Sequence, residues 1–137
     1  MSSFNHALIM AAGRGIRMMP FTKKLPKAMA LLNGNTLISH NIVKLKKNIN
    51  NIHITAGYKN SILASHVLSK KISSVINTSG KGNCWWIYNS LLKYLNEPVL
   101  VFTCDNIVNV DFKKIYNSYK SFNEPPCMLV PVKPSKK

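Results

Sequence analysis

The residues of this chain best suited to chemistry are Gly13-Arg14-Gly15 and the two cations that follow, Arg17 and Lys27. Glycines let backbone N–H groups approach a ligand closely and form a concave nest for an anion. An arginine offers a phosphate a planar fork, and a lysine offers it a point charge. Pro20 and Pro26 stiffen the span between these cations and oppose a helix there. Far downstream, Asp105-Asn106 closes the apolar run 99–103. A carboxylate at the carboxyl end of a central strand stands where an α/β sheet places its ligands. A second glycine-rich stretch, residues 77–84, lies between the two.

These residues need a scaffold, and the pattern of the chain predicts one. The apolar run 7–12 is consistent with a buried strand, although so short a run does not by itself exclude a helix. Asn33-Gly34-Asn35 is a turn signal, and Thr36 reads as the N-cap of a helix whose apolar face is Leu37, Ile38, Ile42, Leu45 and Ile49. A second strand is expected over 52–56, a turn at Gly57-Tyr58-Lys59, a short helix over 62–68 and a third strand over 73–76. A buried helix is expected over 85–95 and a central strand over 99–103. Asp111 reads as the N-cap of a helix running to Tyr119, and 127–132 as a last strand. The leader 1–6 is expected to fray. Strand and helix in alternation predict an α/β fold with a mostly parallel sheet.

Two common phosphate motifs do not fit. A dinucleotide fingerprint needs a third glycine where Met18 stands, and the Gly80-Lys81 pair has neither the upstream glycine nor the hydroxyl of a P-loop. The stretch 11–27 instead resembles the signature of the sugar-1-phosphate nucleotidyltransferases, A-x-G-x-G-[ST]-R-x-x-P-x-[ST]-x-x-x-P-K. Ala11, Gly13, Gly15, Arg17, Pro20, Thr22, Pro26 and Lys27 stand at the matching positions, and Ile16 departs from the usual hydroxyl residue. The plainer alternative is a glycine-rich turn beside a basic loop.

The resemblance implies a Rossmann-like three-layer α/β/α sandwich with a mostly parallel sheet. It covers nearly the whole chain, residues 1–137, but only the N-terminal, nucleotide-binding part of the family's domain, so the fold is expected to be truncated, without the sugar-binding part. It implies nucleotide contacts from Ala11, Ala12, Gly13, Arg14 and Gly15, catalytic roles for Arg17 and Lys27, and Mg²⁺ at Asp105. The loop 77–84 takes the place of the family's base- and ribose-reading loop, which nominates Asn77, Gly82 and Asn83. The implied reaction joins an NTP to a sugar-1-phosphate or similar phosphomonoester and releases pyrophosphate. A cytidylyltransferase for a non-sugar phosphate such as phosphocholine shares the signature, and a fragment that binds NTP without turnover is a further alternative.

Composition bounds the rest. At 137 residues the chain is one domain at most, and no apolar run approaches a membrane span. Cys84, Cys104 and Cys127 are odd in number and widely spaced, which favours free thiols in a reducing cytoplasm over a disulfide framework or a metal pair. The net charge of +15 suits a nucleic-acid-binding module. But the lysines are scattered and no nucleic-acid signature accompanies them, so no nucleic-acid partner is expected. His6, His40, His53 and His66 read as structural or surface residues, and Trp85 and Trp86 as helix-packing ones. A strand left open where the sheet should continue would favour association, so a homo-oligomer remains an open expectation.

Overall fold

A computed structural model describes residues 3–90 and 92–133. Its centre is a four-stranded parallel sheet. The chain enters through β1 (His6–Met10) and leaves it through the irregular segment 11–30. A small antiparallel hairpin, β2 (Leu31–Leu32) and β3 (Asn35–Thr36), comes next. Asn33 and Gly34 both have positive φ, 49° and 81°, the backbone that a two-residue hairpin turn requires. Helix α1 (Leu37–Lys46) then leads to β4 (Asn51–Ala56), α2 (Asn60–Leu68) to β5 (Ser74–Asn77), α3 (Asn83–Ser90) to β6 (Val99–Thr103), and α4 (Phe112–Ser121) closes the described fold.

The strand order is β5-β4-β1-β6. The chain steps outward from β1 to β4 to β5 and then returns across the sheet to pair β6 with the free side of β1. Right-handed crossovers therefore put α1 and α2 on one face and α3 on the other. Side-chain packing agrees. Ala7, Ile9, Ile52 and Ile54 share one apolar cluster with Ile38, Ile42 and Leu45 of α1 and Leu63 and Val67 of α2, whereas Leu8 and Trp86 are buried outside it. The fold is the expected Rossmann-like three-layer α/β/α arrangement.

Both predicted helix caps are present. Thr36 Oγ1 accepts from the Ser39 N–H at 3.2 Å, and Asp111 Oδ1 from the Lys114 N–H at 3.0 Å. α1 ends at Lys46, earlier than its apolar pattern, where the Asn48 N–H tightens onto the Leu45 carbonyl three residues back; the Ile49 N–H also reaches that carbonyl, and Ile49 is still buried.

Four expectations are corrected. The described part of the leader does not fray: Phe4 is buried edge-on against Tyr116, with centroids 5.2 Å apart, and Asn5 Nδ2 donates to Glu97. Segment 127–132 forms no strand. It has no ladder neighbour among the described residues, and Pro131 cannot donate to one. It lines instead a groove of about 670 Å³ against α4 and 107–110, and leaves Leu129 90% exposed. The helix expected over 85–95 begins earlier and ends at Ser90; a single 3-10 turn, Leu92–Tyr94, follows, and Leu91 lies outside the described residues. Of its two tryptophans only Trp86 packs inward; Trp85 is exposed with the Lys81 ammonium 5.5 Å from its ring, as adjacent helical positions cannot share a face. The C-terminal residues 134–137 also lie outside the described residues.

No helix among the described residues is long and apolar enough to cross a membrane.

Candidate functional site

All four parallel strands end at the same edge of the sheet. Between β1 and β6 the chain direction of travel reverses, the point at which a parallel α/β sheet generally places its ligands, outside the carboxyl ends of the strands. Ala11 and Ala12, directly after β1, are buried. The Ala11 N–H donates to both the carbonyl and Oγ1 of Thr55, and the Ala12 carbonyl accepts from Tyr58, so β4 grips the loop at its root. Gly13 and Arg14 then project outward. An added Cβ at Gly13 would meet nothing within 4 Å.

Gly15 differs. Its φ is +67°, and a Cβ there would lie 2.9 Å from Lys27 Cβ and 3.1 Å from Thr22 Cγ2. Glycine is needed both for the turn and for the close passage of the lysine stem. Three single 3-10 turns follow, Ile16–Met18, Phe21–Lys23 and Lys27–Met29, and no α-helix forms, as the prolines dictate. The Met19–Pro20 peptide is cis. Thr22, buried within this loop, donates from Oγ1 to the Gly15 carbonyl at 3.0 Å and so closes the loop on itself.

The loop delivers Lys27 to Asp105. Nζ lies 2.5 Å from Oδ2, and both side chains are partly open to solvent. Burial alone would push the Asp105 carboxyl up. The hydrogen-bonded Lys27 ammonium and the backbone N–H of Asp105 more than offset this and hold it below the ordinary carboxylate range. Asp105 is fixed from behind. The Cys104 N–H donates to the Met10 carbonyl, and Asn41 Nδ2, buried on the apolar face of α1, donates to the Cys104 carbonyl at 2.9 Å. Burial first, and then the Asp105 charge, push the Cys104 thiol up to about 11.

Arg17 is exposed and has no hydrogen-bond or ion-pair partner among the described residues. Arg14 lies over the Tyr58 ring, 5.4 Å from its centroid. Asn77 ends β5, and Gly82 and Asn83 follow it, at the same edge of the sheet but two strands from β1. Asn77 Oδ1 accepts from the N–H and Oγ of Ser79, and Ser79 Oγ also donates to the Gly57 carbonyl, which brings this loop against the end of β4. No hydrogen bond among the described residues joins Asn77, Gly82 or Asn83 to the loop 11–27.

Sequence reading takes Tyr58 only as part of a turn, and misses Thr55 and Asn41 as supports of the site. Asn41 had a signal, a lone amide within an apolar helical stripe. Thr55 had none, because a threonine suits any strand.

The class so defined is a parallel α/β protein whose glycine loop, Lys27 and Asp105 gather at the carboxyl ends of the strands. The nucleotidyl transferase family model matches residues 6–137, and the chain belongs to that family. It is 29% identical over 112 residues to the bifunctional protein GlmU of Methanococcus aeolicus, a match spanning 81% of this chain and 27% of that protein. It is 47% identical over 53 residues to the choline-phosphate cytidylyltransferase of Streptococcus pneumoniae, spanning 38% of this chain and 23% of the other. A UDP-glucose pyrophosphorylase solved with UDP-glucose shares the fold with a TM-score of 0.68 at 22% identity, over 88% of this chain and 55% of that one. These matches thus span about a quarter of the curated relatives and about half of the solved chain.

Proposed function

We propose that this chain is the nucleotide-binding part of an enzyme that transfers a nucleotidyl group from an NTP to a sugar-1-phosphate and yields an NDP-sugar. The observation that carries the reading is the meeting of Lys27 and Asp105 beside the glycine loop at the switch point of the sheet. The acceptor's phosphate oxygen attacks the α-phosphorus in line. A new P–O bond forms, the bond to the β-phosphate oxygen breaks, and pyrophosphate leaves. No covalent enzyme intermediate is needed, and positioning with charge neutralisation lowers the barrier.

In this reading Ala11, Ala12, Gly13, Arg14 and Gly15 bind the nucleotide, with backbone N–H groups turned to its phosphates. Arg17, exposed and unpaired among the described residues, meets the β- and γ-phosphates, where leaving-group charge grows. Lys27 holds the α-phosphate or the attacking phosphate. Asn77, Gly82 and Asn83 take the base and ribose. The donor chemistry at Asp105 suits Mg²⁺, a hard ion that takes one or two carboxylates and completes its shell with phosphate oxygens. Among the described residues no group of three or more His, Cys, Asp or Glu gathers to hold a metal unaided. Asp105 would hold the ion, which when bound supplies neutralising charge to the phosphate oxygens. The free thiols suit a cytoplasmic enzyme.

A second reading, transfer of a cytidylyl group to a non-sugar phosphate, is favoured by the 47% identity to a choline-phosphate cytidylyltransferase. Calorimetry with ATP, CTP, GTP, UTP and dTTP, each with and without Mg²⁺, tests both. Selective Mg²⁺-dependent binding of one nucleotide is expected, and CTP would favour the second reading. Absence of binding by the folded chain would overturn both.

A further inference from the structure

Tyr58 touches the glycine loop at three places. Its N–H donates to the Ala12 carbonyl at 3.2 Å, where the loop begins. Its hydroxyl donates to the Thr22 carbonyl at 2.6 Å, where the loop has turned back. Its ring lies under the Arg14 guanidinium, 5.4 Å from the centroid, within the range of a cation–π contact. The Thr22 carbonyl has lost its usual local partner, because the Leu25 N–H donates instead to the Phe21 carbonyl. Thr22 itself is 1% exposed and bonds Gly15, whose Cα hydrogens face the Lys27 stem. Through its backbone N–H and its phenol, one residue therefore ties Ala12 to Thr22 across the span that carries Arg14 and Arg17, and Thr22 in turn bonds Gly15 beside the Lys27 stem.

The backbone around Tyr58 is committed to this arrangement. A Cβ at Gly57 would lie 2.8 Å from the Ala12 carbonyl oxygen, so only glycine lets β4 come this close to β1's exit. Lys59 adopts φ 51°, a costly conformation for a residue with a Cβ, and so caps α2 and brings its ammonium 5.5 Å from the same ring. A tyrosine chosen only for packing would need neither the hydroxyl bond nor the two cations.

We propose that Tyr58 is a positioning residue for nucleotide binding: its hydroxyl sets the shape of the loop 13–22, and its ring aims Arg14 at the phosphates. The proposal rests on the NTP-binding reading above. It acts through Arg14 and the loop, with no contact to substrate of its own.

The test is calorimetry of Mg²⁺-NTP binding, with the nucleotide found above, on the wild-type chain, Tyr58→Phe, Tyr58→Leu, Arg14→Ala and the Arg14→Ala/Tyr58→Leu pair, with Tm recorded for each. Tyr58→Phe keeps the ring and removes one hydrogen bond, and should weaken binding about fivefold; the Thr22 carbonyl it leaves unpaired should also lower Tm by a few degrees, so binding is read well below that Tm. Tyr58→Leu should weaken it about threefold further, and Arg14→Ala should then add little, because the arginine has already lost its platform. Wild-type affinity in Tyr58→Phe, or full additivity of Arg14→Ala with Tyr58→Leu, would overturn the proposal while leaving NTP binding intact. A folded wild-type chain that binds no NTP would overturn the underlying reading as well, so the two failures are told apart.

Discussion

Lys27 Nζ and Asp105 Oδ2 lie 2.5 Å apart although 78 residues separate them in sequence. The cation and the carboxylate that the proposal gives to a phosphate and to Mg²⁺ thus neutralise each other. In that proposal a bound nucleotide would draw the ammonium away, and the ion would compensate the carboxylate left behind. Asp105→Asn should therefore free Lys27 and tighten metal-free NTP binding about threefold, the scale of an exposed ion pair, while abolishing the gain from Mg²⁺. The gain should vanish in a Lys27→Met background. Weaker metal-free binding by Asp105→Asn would contradict the exchange.

Lys27→Ala addresses the reaction itself. A residue whose contacts strengthen at the transition state lowers turnover more than it weakens binding. In the whole protein the substitution should cut kcat by about 100-fold or more and NTP affinity by less than about tenfold. Unchanged turnover would remove Lys27 from the chemistry.

The glycines separate structure from binding. Gly57→Ala pushes a Cβ to 2.8 Å from the Ala12 carbonyl oxygen and should cost about 2 kcal/mol, on the order of 5 °C in Tm. Gly13→Ala meets nothing within 4 Å and should leave Tm unchanged. If phosphates pack against this backbone, the same methyl should weaken NTP binding. Thermal melts and calorimetry on both variants decide it; equal melting losses would contradict the assignment.

Thiol reactivity should divide the cysteines. Cys84 and Cys127 are exposed, whereas Cys104 is buried with its thiol pushed up to about 11. Iodoacetamide at pH 8 should label two thiols quickly and the third only on unfolding. Fast labelling of all three, read by mass spectrometry, would mean that the end of β6 is open.

Stability should depend on pH through His53. This side chain lies between β1 and β5, bonded to His6 at 3.2 Å and to Ser74 Oγ at 2.7 Å. Burial, and secondarily the His6 charge, lower its proton affinity below the ordinary histidine value of 6.5. His66 is lowered as well, by burial and then by Lys70. The unfolded chain then binds more protons than the folded one, so stability rises with pH in this window. It is complete above about pH 7 and falls as pH drops through 6.5 toward the lowered values. Urea unfolding at pH 7.5 and 5.5 should show the loss, and His53→Gln should reduce it. A flat profile would contradict the burial of a neutral imidazole.

The order of elements was legible because each has a local signature. Alternation or an apolar run marked β1, β4 and β6, and Thr36 and Asp111 announced their helices by capping chemistry that acts within three residues. The last apolar run, 127–132, carried an equally good local signal and still made no strand, because a ladder needs a neighbour and local pattern cannot supply one. Phe4 carries no local sign of order, and it is Tyr116 of α4, distant in sequence, that holds it.

Residue type and short spacing were enough to mark the glycine loop, its cations and the carboxylate after a central strand, since they set what each can bind. Tertiary structure alone decided that Lys27 meets Asp105, that Asn41 steadies the strand end behind it, and that Tyr58 clamps the loop. These contacts join residues 78, 63 and 36 positions apart. Their existence follows from the crossing of the chain over β1, which brings β4 and β6 to either side of one strand end, and no local pattern encodes that crossing.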